Sequence, residues 1–189
     1  MASIGIDTFF APLAELNAAL KARQFSAEDL ARAVSERLLQ LGPRYNALAL
    51  GLHQEALRQA KEVDKELKRE RYRGLLQGVP YGVKDLLAYA GQPTTWGAKP
   101  YASQVFKYNA TVIDKLSAVG AVLAGKLSMV ELAGGGGYRL PSASLTGPGL
   151  NPWDRTRWSG GSSSGSAART PKSPTAPSTA RSTSWPGMA

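Results

Sequence analysis

The chain has 189 residues, of which 43% are hydrophobic and 20% charged, and its formal net charge is +9. This length and composition predict one soluble globular domain with a sizeable core. Apolar stretches fall short of the roughly 18 residues that cross a bilayer, and the N-terminus lacks the basic-then-apolar order of a secretory signal. The sequence contains no cysteine, which excludes disulfides and thiolate metal sites. We expect a cytoplasmic protein without membrane contacts.

The first predicted element is a helix that Ser26 caps and that runs to about Leu41. Glu28 and Asp29 lie in its first turn, where carboxylates suit the positive end of the helix dipole. The Gly42-Pro43 pair ends this helix, because proline cannot continue the helical hydrogen bonds.

A second helix is predicted over residues 55–73, where seven Lys/Arg and five Asp/Glu are interleaved. Its apolar residues recur at three- and four-residue spacing, which gives one buried stripe: Ala56, Ala60, Val63 and Leu67. The pattern is typical of a solvated amphipathic helix. Because this helix mixes both signs of charge and lacks stacking aromatics, we do not expect nucleic acid as a partner, despite the positive net charge.

The middle of the chain alternates strands and helices. Residues 79–87 predict a strand running into a loop, 109–120 a helix closed by Gly120, and 121–126 a buried strand. A glycine-rich loop follows over 127–137. This order predicts an α/β fold, a sheet layered with helices.

Two stretches superficially suggest a phosphate-binding loop. "GAVLAGKLS" (120–128) nearly matches the G-x-x-x-x-G-K-[ST] pattern, but Leu127 stands where the metal-binding hydroxyl belongs. The residues between its glycines also predict a buried strand rather than an open loop. "GGSSSGS" (160–166) has no lysine. A nucleotide-binding loop is therefore disfavoured.

Serine catalysis would need a base, and the sequence offers one histidine, His53, in a helical region without a serine motif nearby. A surface or packing role suits it better. A lysine can activate a serine instead if burial keeps its amine neutral. Lys84 is the candidate, since an apolar strand leads directly to it. The alternative is that Lys84 is only a strand-end lysine paired with its neighbour Asp85.

Four stretches occur in an order that carries a resemblance: "GVPYGVKD" (78–85), "AVLAGKLSMVELA" (121–133), "GLNPWD" (149–154) and "GGSSSGSAA" (160–168). Together they resemble the amidase signature family. This family includes bacterial amidases, fatty-acid amide hydrolases and the A-type chain of the tRNA-dependent amidotransferase. The resemblance covers about residues 10–168.

The resemblance implies an α/β fold with a mixed central sheet layered with helices, here truncated, and a Ser–cis-Ser–Lys triad that needs no metal or organic cofactor. By motif position, Lys84 matches the general base, and Ser162 matches the cis-serine that relays the proton. Ser163 matches a supporting serine. Gly160 and Gly161 would let the backbone approach the site closely.

The sequence departs from the family after residue 168. The family places a G-T-D-x-G-G-S element, which carries the nucleophilic serine and the oxyanion hole, about two dozen residues beyond the cis-serine. Here that position falls near Pro186, and neither Ser182 nor Ser184 has the glycine turn, so no nucleophile is identified. We therefore expect residues 1–168 to be the N-terminal part of an amidase-signature domain. Residues 169–189, with twelve Ser, Thr or Pro among them, predict a disordered tail that we hypothesise to be frame-shifted.

The sequence thus favours a parent protein that hydrolyses the C–N bond of a small-molecule carboxylic amide, and a 189-residue chain that is itself inactive. One alternative is the glutamine-hydrolysing component of a tRNA-dependent amidotransferase, which works with partner subunits. The other is a non-catalytic basic binding module, for which salt-sensitive RNA binding would be the sign.

Overall fold

The computed structural model describes residues 4–134, 144–157 and 159. Four α-helices and three β-strands occur in these residues: α1 (Leu13–Lys21), α2 (Ala27–Leu41), β1 (Leu48–Gly51), α3 (His53–Lys68), β2 (Pro80–Lys84), α4 (Thr111–Ala118) and β3 (Val122–Leu127). Short 3-10 helices span Ile6–Phe10, Pro43–Tyr45, Lys99–Tyr101 and Glu131–Ala133.

The strands form one mixed sheet in the order β1-β3-β2. β2 pairs with β3 in parallel, with Lys84 opposite Leu127, and β1 pairs with β3 antiparallel, with Leu48 opposite Leu127. The helix α4 connects the two parallel strands, as a parallel pair requires. The expected α/β class with a mixed sheet is confirmed.

Both faces of the central strand β3 are covered. Val122 belongs to an apolar cluster with residues of α2 and α3, whereas Leu123 packs in a second cluster with Ile113 of α4 and Val83 of β2. Successive residues of a strand point to opposite faces, so the two clusters lie on the two sides of the sheet. The helices therefore layer the sheet as predicted, and β3 is the buried strand expected over residues 121–126.

The start of α2 is fixed by two carboxylates. The Ser26 hydroxyl accepts from the Asp29 amide and the Asp29 carboxylate accepts from the Ser26 amide, a capping box that confirms the predicted N-cap. Asp64 of α3 accepts from the amides of Ala27 and Glu28 at 2.8 and 3.0 Å. Amides that have no partner within the helix are thereby satisfied by the neighbouring helix.

The end predicted for the charged helix is wrong. α3 stops at Lys68 rather than residue 73, because the chain reverses at Glu70, whose φ is 57°, and the Arg71 amide donates back to the Glu66 carbonyl. Its buried stripe is confirmed, with Ala56, Ala60, Val63 and Leu67 all in the core.

The strand predicted over 79–87 is shorter, since it ends at Lys84 and the chain turns at Asp85. The Leu87 amide donates to the Lys84 carbonyl across that turn. The helix predicted over 109–120 is present as α4, with Gly120 beyond its end at a φ of +79°. None of the helices within the described ranges is long and apolar enough to cross a membrane.

Candidate active site at the carboxyl ends of two parallel strands

Lys84 is the last residue of β2 and lies opposite Leu127, the last residue of β3. Because β2 and β3 are parallel, their carboxyl ends meet at one edge of the sheet, the usual position of sites in open α/β sheets. The Lys84 side chain is half-buried there. Its ammonium has no ion pair with another side chain of the described residues.

Asp85 does not pair with Lys84, as the alternative interpretation of the sequence required. Its carboxylate is buried, with 1% of the residue exposed, and Oδ1 lies 2.7 Å from Lys126 Nζ. Oδ2 accepts from the Thr95 amide at 3.0 Å and from the Thr95 hydroxyl at 2.5 Å. The negative charge beside Lys84 is therefore engaged by residues other than Lys84.

Lys126 is fully buried in the middle of β3 and is a residue that the sequence analysis missed as part of the site. Besides Asp85, its Nζ donates to the Pro93 carbonyl at 2.6 Å and to the Thr94 hydroxyl at 2.5 Å. Burial lowers the pKa of Lys126, and the contact with Asp85 opposes that shift. Three acceptors match the three N–H donors of an ammonium, so this lysine has no lone pair for catalysis or spare donor for phosphate.

A signal for Lys126 was present in the sequence. It interrupts an otherwise apolar strand, "AVLAGKL", and a charge in such a strand must find a partner. The sequence could not name that partner, because Asp85 and the Pro93-Thr94 pair reach it only through the fold.

The loop that holds Asp85 also holds two neighbouring segments. The Trp96 amide donates to the Asp85 carbonyl at 3.3 Å, and the Trp96 carbonyl accepts from Leu132 at 2.8 Å. The Gly97 carbonyl accepts from Leu145 at 2.8 Å. Trp96 and Leu132 have positive φ angles of 52° and 49°. Such backbone strain persists only where surrounding contacts fix it, and it concentrates at functional sites.

A short chain of hydroxyls lies just beyond β3. Ser128 accepts from the Thr146 hydroxyl at 2.9 Å, and the Thr146 and Ser144 hydroxyls are 3.1 Å apart. Ser128 follows the strand residue that pairs with Lys84. These three residues were not singled out from the sequence, since hydroxyl residues in loops are too common to carry a signal.

The "GLNPWD" segment returns the chain toward the same edge. The Ser159 amide donates to the Gly149 carbonyl at 2.8 Å, and Leu150 donates to the Tyr45 carbonyl at 2.9 Å. Two residues further along that loop, the Ala47 carbonyl accepts from the amide of Ser128 at 2.9 Å. Ser159 is therefore linked through the 45–47 loop to the end of β3.

Four of the predicted site residues, Gly160, Gly161, Ser162 and Ser163, lie outside the described residues, as do the cis peptide expected before Ser162 and the tail over residues 169–189. His53 is the first residue of α3 and follows the end of β1 that pairs with Gly125. Lys84 pairs instead with Leu127, so His53 lies away from the strand end that carries the lysine.

The fold and the strand-end lysine define an α/β protein whose candidate site is built at the carboxyl edge of parallel strands. Comparison with known proteins names the class further. A family model described as Amidase matches residues 29–171, and the chain belongs to that family. The resemblance inferred from the sequence is confirmed.

Two curated relatives carry different names. The A-type chain of the glutamyl-tRNA(Gln) amidotransferase of Ectopseudomonas mendocina (strain ymp) is 42% identical over 156 residues, which cover 82% of this chain and 32% of that protein. A putative amidase of Mycobacterium bovis, AmiD, is 37% identical over 158 residues, with coverage of 84% and 32%. This chain thus spans about a third of the length of these relatives.

Solved structures agree with the fold. The native peptide amidase from Stenotrophomonas maltophilia matches with a TM-score of 0.73 at 28% identity, over 86% of this chain and 34% of that one. A bacterial aryl acylamidase of the amidase signature family matches with a TM-score of 0.72 at 25% identity, over 82% and 32%.

Proposed function

We propose that the full-length protein containing this chain hydrolyses the C–N bond of carboxylic amides, with Lys84 as general base and Ser162 as the proton relay. The observation that carries the proposal is the position of Lys84. It ends β2 at the carboxyl edge of the parallel strands, while its neighbouring carboxylate is held by Lys126 at 2.7 Å.

The path of the chain supports bringing Ser162 to this edge. Ser159, three residues earlier, is linked to Gly149 and through the 45–47 loop to Ser128. Three residues span at most about 10 Å of extended chain. Ser162 is therefore within reach of the strand ends that carry Lys84.

In the proposed reaction, a nucleophilic serine gives its proton to the Ser162 hydroxyl as that hydroxyl gives its own to the neutral Lys84 amine. The serine oxygen bonds to the amide carbon, and the C–N bond then breaks as the amine leaves with the lysine-held proton. Water afterwards hydrolyses the acyl-enzyme. A serine hydroxyl suits the relay because it donates and accepts at once. Ser163, Gly160 and Gly161 would support this network.

A second candidate is glutamine hydrolysis within a tRNA-dependent amidotransferase, because the relative named as a component of that enzyme is 42% identical. It uses the same bond cleavage and adds partner subunits. A stand-alone amidase would act on small amides without partners. A cytoplasmic location stays a prediction from the sequence.

The test is a hydrolysis assay of the full-length protein on aliphatic amides, aryl amides and glutamine. Release of ammonia or amine that is lost in Lys84→Ala and in Ser162→Ala supports the proposal. Lys115→Ala, at an exposed lysine of α4, is the matched control and should keep full activity. Turnover that survives Lys84→Ala would refute the assignment of the base. Purification alone or with partner subunits separates the two candidates.

A further inference from the structure

The ion pair between Lys126 and Asp85 is the most deeply buried charged feature of the described residues, with 0% and 1% of the side chains exposed. It lies next to the proposed base in both strands. Val83 is opposite Lys126 in the sheet, and Lys84 is opposite Leu127. The Asp85 amide donates to the Leu127 carbonyl at 2.8 Å, so the backbone on both sides of the pair is also joined.

Stability alone is a poor reason for such a pair. Two buried charges lose their hydration, and replacing a buried ion pair by well-packed apolar residues is often neutral or stabilising. A role in fixing one arrangement of the site accounts better for the pair, because its contacts converge on the strand end. Lys126 and Thr95 together bind both carboxylate oxygens, and the same loop continues to Trp96, which donates to the Asp85 carbonyl.

The charge of Asp85 matters directly to Lys84. A carboxylate near a lysine favours the ammonium form, which cannot accept a proton. Lys126 supplies a balancing positive charge at 2.7 Å and keeps the Asp85 side chain directed at the 93–95 loop. Carboxylates on the helices that cover the sheet have partners of their own: Glu28 with Arg32, Asp64 with the α2 amides, and Asp114 with Asn109. Glu131, in the segment bonded to Trp96, is exposed.

We propose that Lys126 is a positioning residue for the general base: it holds the Asp85 carboxylate away from Lys84, so that the Lys84 amine stays directed at its serine partner and without a carboxylate ligand. The inference rests on the proposed function of Lys84 as base. It assigns no chemical step to Lys126, whose three N–H donors are all engaged.

The experiment compares the full-length protein with Lys126→Met, Asp85→Asn and the double variant, at a temperature where circular dichroism shows each one folded. Each variant is assayed for kcat and KM on the best amide substrate. Amide hydrogen exchange of residues 93–97 is measured in parallel. Thr95→Val is a milder single variant that removes one bond to Asp85 should Lys126→Met not fold, and Thr95→Ser is its conservative rescue. Lys115→Met is the matched control.

We expect Lys126→Met to lower kcat about 100-fold with little change in KM, as for a misplaced catalytic group. The double variant, which removes both charges, should regain most of that loss, and Thr95→Ser should outperform Thr95→Val. Exchange at residues 93–97 should rise in Lys126→Met alone. An unchanged kcat in Lys126→Met, or a double variant no better than the single one, would overturn the proposal.

The two proposals fail in different ways. A wild-type protein that hydrolyses no amide refutes the proposed function, and the exchange arm then decides whether Lys126 holds Asp85 and its loop. An active wild type with a fully active Lys126→Met refutes only the positioning role.

Discussion

The phenol hydroxyl of Tyr89 donates to the carboxylate of Glu55 at 2.6 Å, across 34 positions of sequence. Glu55 lies in the first turn of α3, and Tyr89 lies four residues beyond Asp85 in the loop that leaves β2. Gln59 of α3 donates to the same carboxylate and also, through its side-chain oxygen, accepts from the Leu123 amide of β3. The helix, the central strand and the loop after Lys84 are thereby joined by one polar network.

This network predicts an acid-sensitive contribution to stability. Hydrogen bonds from Arg58 first, and then from Tyr89 and Gln59, lower the pKa of Glu55 from 4.5 to about 2, against the effect of its partial burial. A lowered pKa in the folded state stabilises the fold above pH 4.5, and the contribution is lost as the pH falls toward 2. We expect Glu55→Gln to cost about 1 kcal/mol at pH 7, after allowance for solvent screening.

Urea denaturation at pH 7 and at pH 3 measures the difference. The gap between wild type and Glu55→Gln should be wide at pH 7 and narrower at pH 3. Glu62→Gln is the control, because Glu62 bonds to Lys65 on the exposed face of the same helix at 2.8 Å. A gap that is equal at both pH values, or equal for both variants, would contradict the role given to Glu55.

A second prediction concerns the stability of the buried pair. Lys126→Met leaves the Asp85 charge buried without its partner, which should lower the free energy of unfolding by about 3–5 kcal/mol. Lys126→Met combined with Asp85→Asn removes both charges, so its cost should be well below the sum of the two single costs. Urea denaturation of all four proteins gives the coupling energy. Additive costs would show that the two side chains do not act together.

The sequence predicts those parts of the fold that local patterns determine. Ser26 with Asp29 indicates the start of α2, and the apolar spacing in α3 identifies its buried face. By contrast, β1 was not predicted, because "LALG" (48–51) is too short to show a period and is fixed as a strand by pairing with β3. α3 extends less far than its charge pattern because Glu70 turns the chain.

The candidate site divides in the same way. Lys84 could be identified from its motif, since an apolar strand leads to it and the family resemblance gives it a role. The partners of Lys126 could not be predicted, because Pro93 and Thr94 are more than 30 positions away and no local pattern relates them. Which lysine is engaged and which is available for catalysis depends on tertiary contacts.

A third prediction tests the loop that carries these contacts. Gly97 has a φ of +68°, and a Cβ there would lie 2.4 Å from the Met129 carbonyl oxygen. Gly97→Ala should therefore destabilise the fold by about 2–3 kcal/mol, from backbone strain together with a clash against main chain. Gly91 has a similar φ of +74° with nothing within 4 Å of a Cβ. Gly91→Ala should cost about 1 kcal/mol, from strain alone.

Thermal unfolding of the two variants separates clash from strain. Equal losses would mean that the approach of Gly97 to Met129 can relax freely and that this loop is not rigidly held.

A fourth prediction concerns the geometry of the two proposed catalytic residues, which are 78 positions apart in sequence. We expect Lys84 Nζ and Ser162 Oγ to lie within hydrogen-bond range in the full-length protein. A crystal structure of that protein measures the distance directly. A well-ordered structure with the two side chains on opposite faces of the sheet would remove the basis for assigning Ser162 as the relay.

The last prediction is that the 189-residue chain itself hydrolyses no simple amide above background. Lys84 and Ser162 form at most a proton relay, and a relay without a nucleophile transfers no acyl group. Ser162 is a poor substitute nucleophile, because its hydroxyl would be committed to the lysine and the sequence offers no identifiable oxyanion donors beside it. The assay uses the purified chain with aliphatic and aryl amides, beside the full-length protein as positive control. Turnover by the 189-residue chain that Ser162→Ala abolishes would show that Ser162 is the nucleophile rather than the relay.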